Sequence, residues 1–446
     1  MDIREKFRKD ETELRALVEK ALDYIGSKKL EQAFLYVRKS ETLSVSVRKQ
    51  IPEKVDYSNG LSMCVTVFND HCRGSASSSN LSESSVFSAI DAAADISAHT
   101  SRDEFCGLPE KEDVQYEVTD FDTFYPEDAD PDAMIERAAE LERICLAREG
   151  IKQAVSSTAA NSSGMIVAGS TMGQVVAFPS SFFSSSVGLV AEQDGVMERG
   201  SGYHFSYRSD KVWPLEKIAD EAVNDTLSRL GGRKIATRTA PVILDKDVAS
   251  SLFMWLGTAI SGRPQYRRTS FLVDCLGKQV MPEWLTIHED PHIVGEMASD
   301  CMDSTGARTT KKDFVTNGVV ASYMLSAYSA RRLKMRNTGN ADGNYTWLIT
   351  NSGISRTDLE RKMDTGLVIT DMMGVNFNSV TGDVSTGCSG YWLENGVKAY
   401  PVKEITVAGN CRDLFMNIVA ISNDINEKSS VKTGSVLLDH MQIAGQ

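Results

Sequence analysis

The chain has 446 residues, 41% of them hydrophobic and 24% charged, a balance that excludes a disordered chain and at this length implies about two or three domains. Its formal net charge of -13 repels phosphates, so the average field excludes a non-specific grip on nucleic acid. Eight cysteines with no Cys-x-x-Cys pair exclude a zinc ribbon or a thioredoxin motif and suit a reducing cytosol, and no stretch reaches the ~20 apolar residues of a membrane span.

Leu14, Leu17, Val18, Ala21, Leu22 and Ile25 recur at helical spacing and stop before Gly26, which predicts an amphipathic first helix. From Ala33 to Phe68 the apolar period falls to two, through Ala33, Leu35 and Val37, then Leu43, Val45 and Val47, then Met63, Val65 and Val67, and three strands are expected. A helix follows from Asn80 or Ser82 toward His99. Between Glu110 and Asp132 the chain carries ten acidic residues and one basic one, the composition of a linker or a solvated edge. That stretch ends at Asp130-Pro131, an N-cap followed by Pro at the first helical position, with a helix expected to Gly150.

Residues 151–213 alternate small polar and apolar residues and read as a second set of strands. Pro214 opens another helix, and Gly231-Gly232 closes it. A domain boundary is expected there. An α+β amino-terminal region would occupy 1–232, with subregions 1–109 and 130–232 joined by the acidic stretch, and a β-rich carboxyl-terminal domain would occupy 233–446. Asn317-Gly318 and Asn395-Gly396 each predict a tight hairpin, because both central residues of a type I′ turn need positive φ. The four cations Arg331, Arg332, Lys334 and Arg336 are the best local basic patch; with no aromatic residue interleaved, they read as a solvated face or as ion-pair partners.

His288-Glu289-Asp290-Pro291-His292 matches the His-Glu-x-x-His pattern of zinc peptidases, which needs a continuous helix to bring both imidazoles to one face. Pro291 removes a helical donor and pushes Asp290 out of the helical region, so Asp290-Pro291 is read as a cap and first helical position with His288 outside. The alternative is an autonomous metallohydrolase using His288, Glu289 and His292.

The block TGLVITDMMGVNFNSVTGDVSTGCSGYWLENGVKAYPVKEITVAGN (365–410) resembles the PmbA/TldE branch of the TldD/PmbA family of cytosolic metallopeptidase assemblies. So do RGSASS (73–78), YRRTSFL (266–272), YSARRL (328–333) and the ending GSVLL (434–438). Family names also invoke DNA gyrase modulation, which leaves a protein-binding modulator of a nucleic-acid enzyme as a further reading. In the TldD branch one helix carries His-Glu-x-x-x-His, supplying metal ligands and general base, with a Cys near the carboxyl terminus as a further ligand. The resemblance places Met254, Trp255 and Ala259 at those helical positions and Thr433 near that Cys. None can serve as an equivalent ligand or base. The resemblance therefore implies a non-catalytic subunit with no metal of its own, completed by a TldD-like partner holding a divalent metal. It also implies a polypeptide substrate, with a homodimer expected when the chain is alone. Gly382, Gly387 and Gly390 are candidates for close approach of a peptide backbone, or else mark tight turns.

Overall fold

The computed structural model describes residues 2–341 and 343–445. It is α+β and divides into two compact units, residues 1–227 with 301–308, and residues 228–300 with 309–446.

The first unit is built on one six-stranded antiparallel sheet in the order β3-β2-β1-β4-β5-β6, formed by β1 (Gln32–Arg48), β2 (Ile51–Asn69), β3 (Cys72–Ser78), β4 (Ile151–Ser170), β5 (Val175–Gln193) and β6 (Val196–Ser206). The pairing of β1 with β4 joins strands from both sides of the acidic stretch. Where three strands were expected over 33–68, there are two long ones. The apolar alternation continues unbroken through polar Lys39 and Glu41, because these turn to the helix-covered side and pair there, Lys39 with Asp10 at 2.5 Å and Glu41 with Lys6.

Helices α1 (Ile3–Ser27), α2 (Glu83–Ala98), α3 (Pro131–Leu146) and α4 (Leu215–Ser228) belong to this unit. Leu14, Val18, Ala21 and Ile25 of α1 pack with Val86, Ile90 and Ala93 of α2 on the inward residues of β1 and β2. Ser82 caps α2 and Asp130 caps α3, whose first residue is Pro131. Helix α3 ends at Leu146, four residues short of the expected Gly150. The acidic stretch is not a free linker: Val114 and Phe121 are buried, Ser181 N donates to Thr123 O at 2.9 Å, and Tyr125 N donates to Ser181 Oγ at 2.7 Å. Most of its carboxylates stay exposed while its few apolar residues pack inward.

The second unit holds two sheets. One follows β14-β13-β12-β7-β17-β15, from β7 (Arg238–Leu244), β12 (Gly366–Phe377), β13 (Asp383–Glu394), β14 (Val397–Asn410), β15 (Ile418–Ile421) and β17 (Val436–Ala444). The end of β17 also pairs with β14 through Thr406, Val407 and Ala408, closing five strands into a ring. Both faces are buried where β7, β12 and β17 run side by side: Val242, Leu244, Leu367, Ile369, Val436 and Leu438 belong to one core, Ile243, Val368 and Leu437 to another. Unbroken apolar runs such as Val242-Ile243-Leu244 follow from that two-sided burial.

The other sheet follows β10-β9-β8-β11-β16, formed by β8 (Ile287–Glu289), β9 (Lys312–Thr316), β10 (Val319–Val320), β11 (Trp347–Ile349) and β16 (Val431–Lys432). Among the described residues, the helices of this unit are α5 (Lys246–Ile260), α6 (Gly262–Arg267), α7 (Ala327–Leu333), α8 (Arg356–Met363) and α9 (Cys411–Met416). Both Asn-Gly hairpins form, with φ of 49° and 76° at Asn317-Gly318 and 54° and 71° at Asn395-Gly396.

Candidate functional site

Asp245 caps α5 by accepting from Asp247 N. Leu252, Phe253, Leu256, Ala259 and Ile260 sink into the core, and Gly257 lets the Trp347 ring approach, since an added Cβ would lie 3.2 Å from it. The helix is not buried all round, although nearly every face from Val248 to Ile260 is apolar. Asp247, Met254 and Thr258 form an exposed stripe, with Met254 43% accessible. Trp255 is buried, its ring stacked on Phe377 at 5.7 Å, and Phe377 meets Phe271 edge-on at 6.1 Å.

Thr433 is fully buried and donates its hydroxyl to Gly434 O at 3.0 Å. Asn426 ties this segment to α5, donating its backbone N–H to Thr433 O at 3.1 Å and its amide to Asp247 Oδ1 at 3.1 Å. These bonds tie the Thr433 segment to the first turn of α5 at Asp247, and the resemblance joins Met254, Trp255 and Ala259 to Thr433 as one candidate set. A divalent metal does not fit it. A thioether, an indole packed on a phenyl ring, a methyl group in the core and a hydroxyl already engaged are no tetrahedral N/O/S set. Among the described residues, no three His, Cys, Asp or Glu side chains converge as ligands.

Next to the α5 cap lies a polar cluster that sequence reading missed. Arg356, first residue of α8, reaches Asp245 at 2.9 Å, Glu360 at 3.0 Å and Asp424 at 3.8 Å, and donates to Tyr391 Oη at 3.1 Å and to Ser435 Oγ. Ser435 Oγ also accepts from Lys246 N at 3.0 Å. Burial pushes the Asp245 carboxyl above its ordinary value, and the facing guanidinium works against that shift. One cation thus fastens α8, the start of α5 and the segment leading into β17. The local signals were the Ser355 cap, three residues before Asp358, and the i,i+4 pair Arg356–Glu360; the other partners lie 35 to 111 residues away.

The histidine motif is not helical at all. Residues 287–289 form β8 and residues after Asp290 form turns, so neither the zinc helix nor the capped helix expected at Asp290-Pro291 exists. Asp290 still accepts from His292 N at 2.9 Å, a local turn that Pro291 favours without starting a helix. In a strand, neighbouring side chains take opposite faces. His288 Nδ1 lies 2.7 Å from Asp313, whereas Glu289 is fully buried. The Glu289 carboxylate accepts from Lys312 Nζ at 2.9 Å, Asn340 Nδ2 at 2.8 Å, Tyr345 N at 2.8 Å and Trp347 Nε1 at 3.0 Å. His292 Nε2 is 2.9 Å from Thr309 Oγ1, in a third environment.

Burial lowers the His292 pKa below its ordinary 6.5, with Asp290 opposing and Lys311 and Lys312 reinforcing the shift. A folded-state pKa below the unfolded one means that the unfolded chain binds more protons between the two values. The stabilising contribution is therefore present above about pH 6.5 and is lost as pH falls through the folded value. Denaturation profiles from pH 8 downward are expected to slope less steeply below neutrality for His292→Asn than for the native chain. Equal slopes would show that His292 does not carry the effect.

The three candidate glycines are held by their own fold. Gly382 has φ of 85° in the turn before β13, and an added Cβ would lie 2.9 Å from the Phe271 ring. At Gly390 a Cβ would lie 1.8 Å from Val368 O of the adjacent strand. Gly387 is less crowded, with only Met373 O at 3.2 Å.

Comparison with known proteins agrees with this architecture. Family models for PmbA/TldA metallopeptidase domain 1, central domain and C-terminal domain match residues 33–97, 124–230 and 237–445. The chain belongs to the PmbA/TldD metallopeptidase family, in its PmbA/TldE branch. It is 39% identical to the metalloprotease PmbA of Escherichia coli O157:H7 over 97% of this chain and 96% of that protein. It is 38% identical to the PmbA homologue of Haemophilus influenzae over 98% and 97%. A Bacteroides thetaiotaomicron structure named for DNA gyrase modulation superposes with a TM-score of 0.90 at 22% identity, covering 97% of this chain and 98% of the other. TldE from Thermococcus kodakarensis does so at 0.80 and 18%, covering 94% and 98%.

Proposed function

We propose that this chain is the non-catalytic subunit of a cytoplasmic TldD/TldE-type peptidase acting on unfolded or short polypeptides. The observation that carries this reading is α5, whose Met254, Trp255 and Ala259 stand where the family resemblance puts ligands and base, two of them built into the core. A TldD-like partner would hold the metal, which supplies Lewis acidity and an activated water when bound. This chain would shape the enclosure and hold substrate backbone.

An open edge supports the substrate class. Among the described residues, strand β7 covers β12 only along Leu367–Ile369, so the residues of β12 beyond it pair with β13 alone and could accept an extended chain by strand addition, whatever its side chains. Gly387, the least crowded of the three glycines, pairs with Met373 in this stretch. The eight free cysteines suit a reducing compartment.

The test compares the purified chain, a TldD-like partner and their mixture for bound divalent metal and peptide cleavage. Cleavage by the mixture with metal residing in the partner is expected, together with a homodimer for the chain alone. Stoichiometric metal and cleavage in the isolated chain would overturn the proposal.

A further inference from the structure

Helices α6 and α7 assemble a basic face in this acidic protein. They pack closely: Gly262 N donates to Met324 O at 2.9 Å, and an added Cβ on Gly262 would lie 2.2 Å from Ser329 Oγ. Tyr266 and Tyr328 meet edge-on at 5.8 Å. This contact joins Arg263, Arg267 and Arg268 to Arg331, Arg332, Lys334 and Arg336, cations that lie about 65 residues apart in the chain. No acidic residue occurs from Ser261 to Val273 or from Thr316 to Ala341, and in a chain of net charge -13 that is a strong local reversal of sign. All of these cations but Arg331 are exposed, and Asp274 pairs with Arg268 at 2.9 Å.

Helix ends account for part of the pattern, since cations favour the last turn of a helix. They do not account for Arg263, in the first turn of α6, where the dipole disfavours a cation, nor for Arg336, beyond the end of α7. We infer that this face docks an acidic segment of another polypeptide.

Six of the seven cations are arginines, whose planar forks match carboxylates. The patch spans two helices of six and seven residues, room for a few carboxylates rather than a long phosphate track. Nucleic acid is disfavoured on two grounds. The net charge opposes a long polyanion beyond about 10 Å, whereas a short acidic segment feels mainly the local patch. The Tyr266 face is also already covered by the Arg332 guanidinium, at 5.1 Å, leaving no free platform there for base stacking.

The test is fluorescence anisotropy of the full chain with a short labelled Glu-rich peptide, a neutral peptide of equal length and a single-stranded oligonucleotide of equal charge. The Glu-rich peptide is expected to bind at low salt, to weaken as salt rises, and to lose about tenfold or more in affinity with Arg263→Glu, Arg267→Glu and Arg336→Glu combined. The corresponding Gln variant, with thermal unfolding unchanged, separates charge from misfolding. The inference is overturned by no binding at low salt, by equal binding of the neutral peptide, by binding that survives both variants, or by the oligonucleotide binding more tightly than the peptide.

Discussion

Glu289→Ala is expected to destabilise the second unit by about 3–5 kcal/mol, because it strips the partner from a buried charge. Lys312 would keep its ammonium in a site where the side chain is only 13% accessible, and the Asn340 amide, the Tyr345 N–H and the Trp347 indole N–H would lose their acceptor together. Trp347 is among the largest fully buried side chains of the chain and packs beside Phe314 at 5.4 Å, so the damage would reach the contact with α5 as well. In a unit of this size the loss corresponds to a fall in Tm on the order of 10 °C. Glu289→Gln, which keeps the volume and one acceptor oxygen, should lose less. Urea denaturation of the three proteins measures this. A Glu289→Ala protein as stable as the native chain would show that the carboxylate is not structural and would return the histidine motif to consideration as chemistry.

The second large effect is expected at Arg356. Three carboxylates, Asp245, Glu360 and Asp424, share this one guanidinium, and Arg356→Ala would leave them facing one another beside the α5 cap. A loss of about 3–5 kcal/mol is expected near neutral pH. The deficit should shrink as the solution is acidified. Burial already raises the Asp245 pKa, and without the cation that carboxyl takes up a proton more readily still, which removes one of the unpaired charges. Arg356→Lys keeps the charge but not the fork and should fall between the two. Denaturation at several pH values measures both features, and a deficit that does not change with pH would show that charge is not its cause.

Local chemistry was legible wherever neighbouring residues settle it. The helix caps Ser82 and Asp130-Pro131, the two Asn-Gly hairpins and the apolar faces of α1 and α4 follow from residues within a few positions of one another. The hairpin between β1 and β2 was not legible. Its two turn residues are Lys49 and Gln50, with φ of 55° and 59°, neither of which signals a type I′ turn. Glu142 of α3 holds them there, accepting from both backbone N–H groups at 2.8 and 2.7 Å and from the Gln50 amide at 2.8 Å. An anchor about 90 residues away leaves no trace in the turn itself.

By itself the sequence determined the alternation of elements, the family, and the absence of imidazole, carboxylate or thiol at the α5 positions that the resemblance aligns with a metal site. These rest on residue type and short-range period. Tertiary structure alone decided that β14 meets β17 to close the ring, that Glu289 is a buried anchor rather than a base, and that two arginine-rich segments form one face. The physical reason is the same in each case. Which charge is buried and which strand edge is filled depends on pairings between distant parts of the chain, and such pairings lie outside any local pattern.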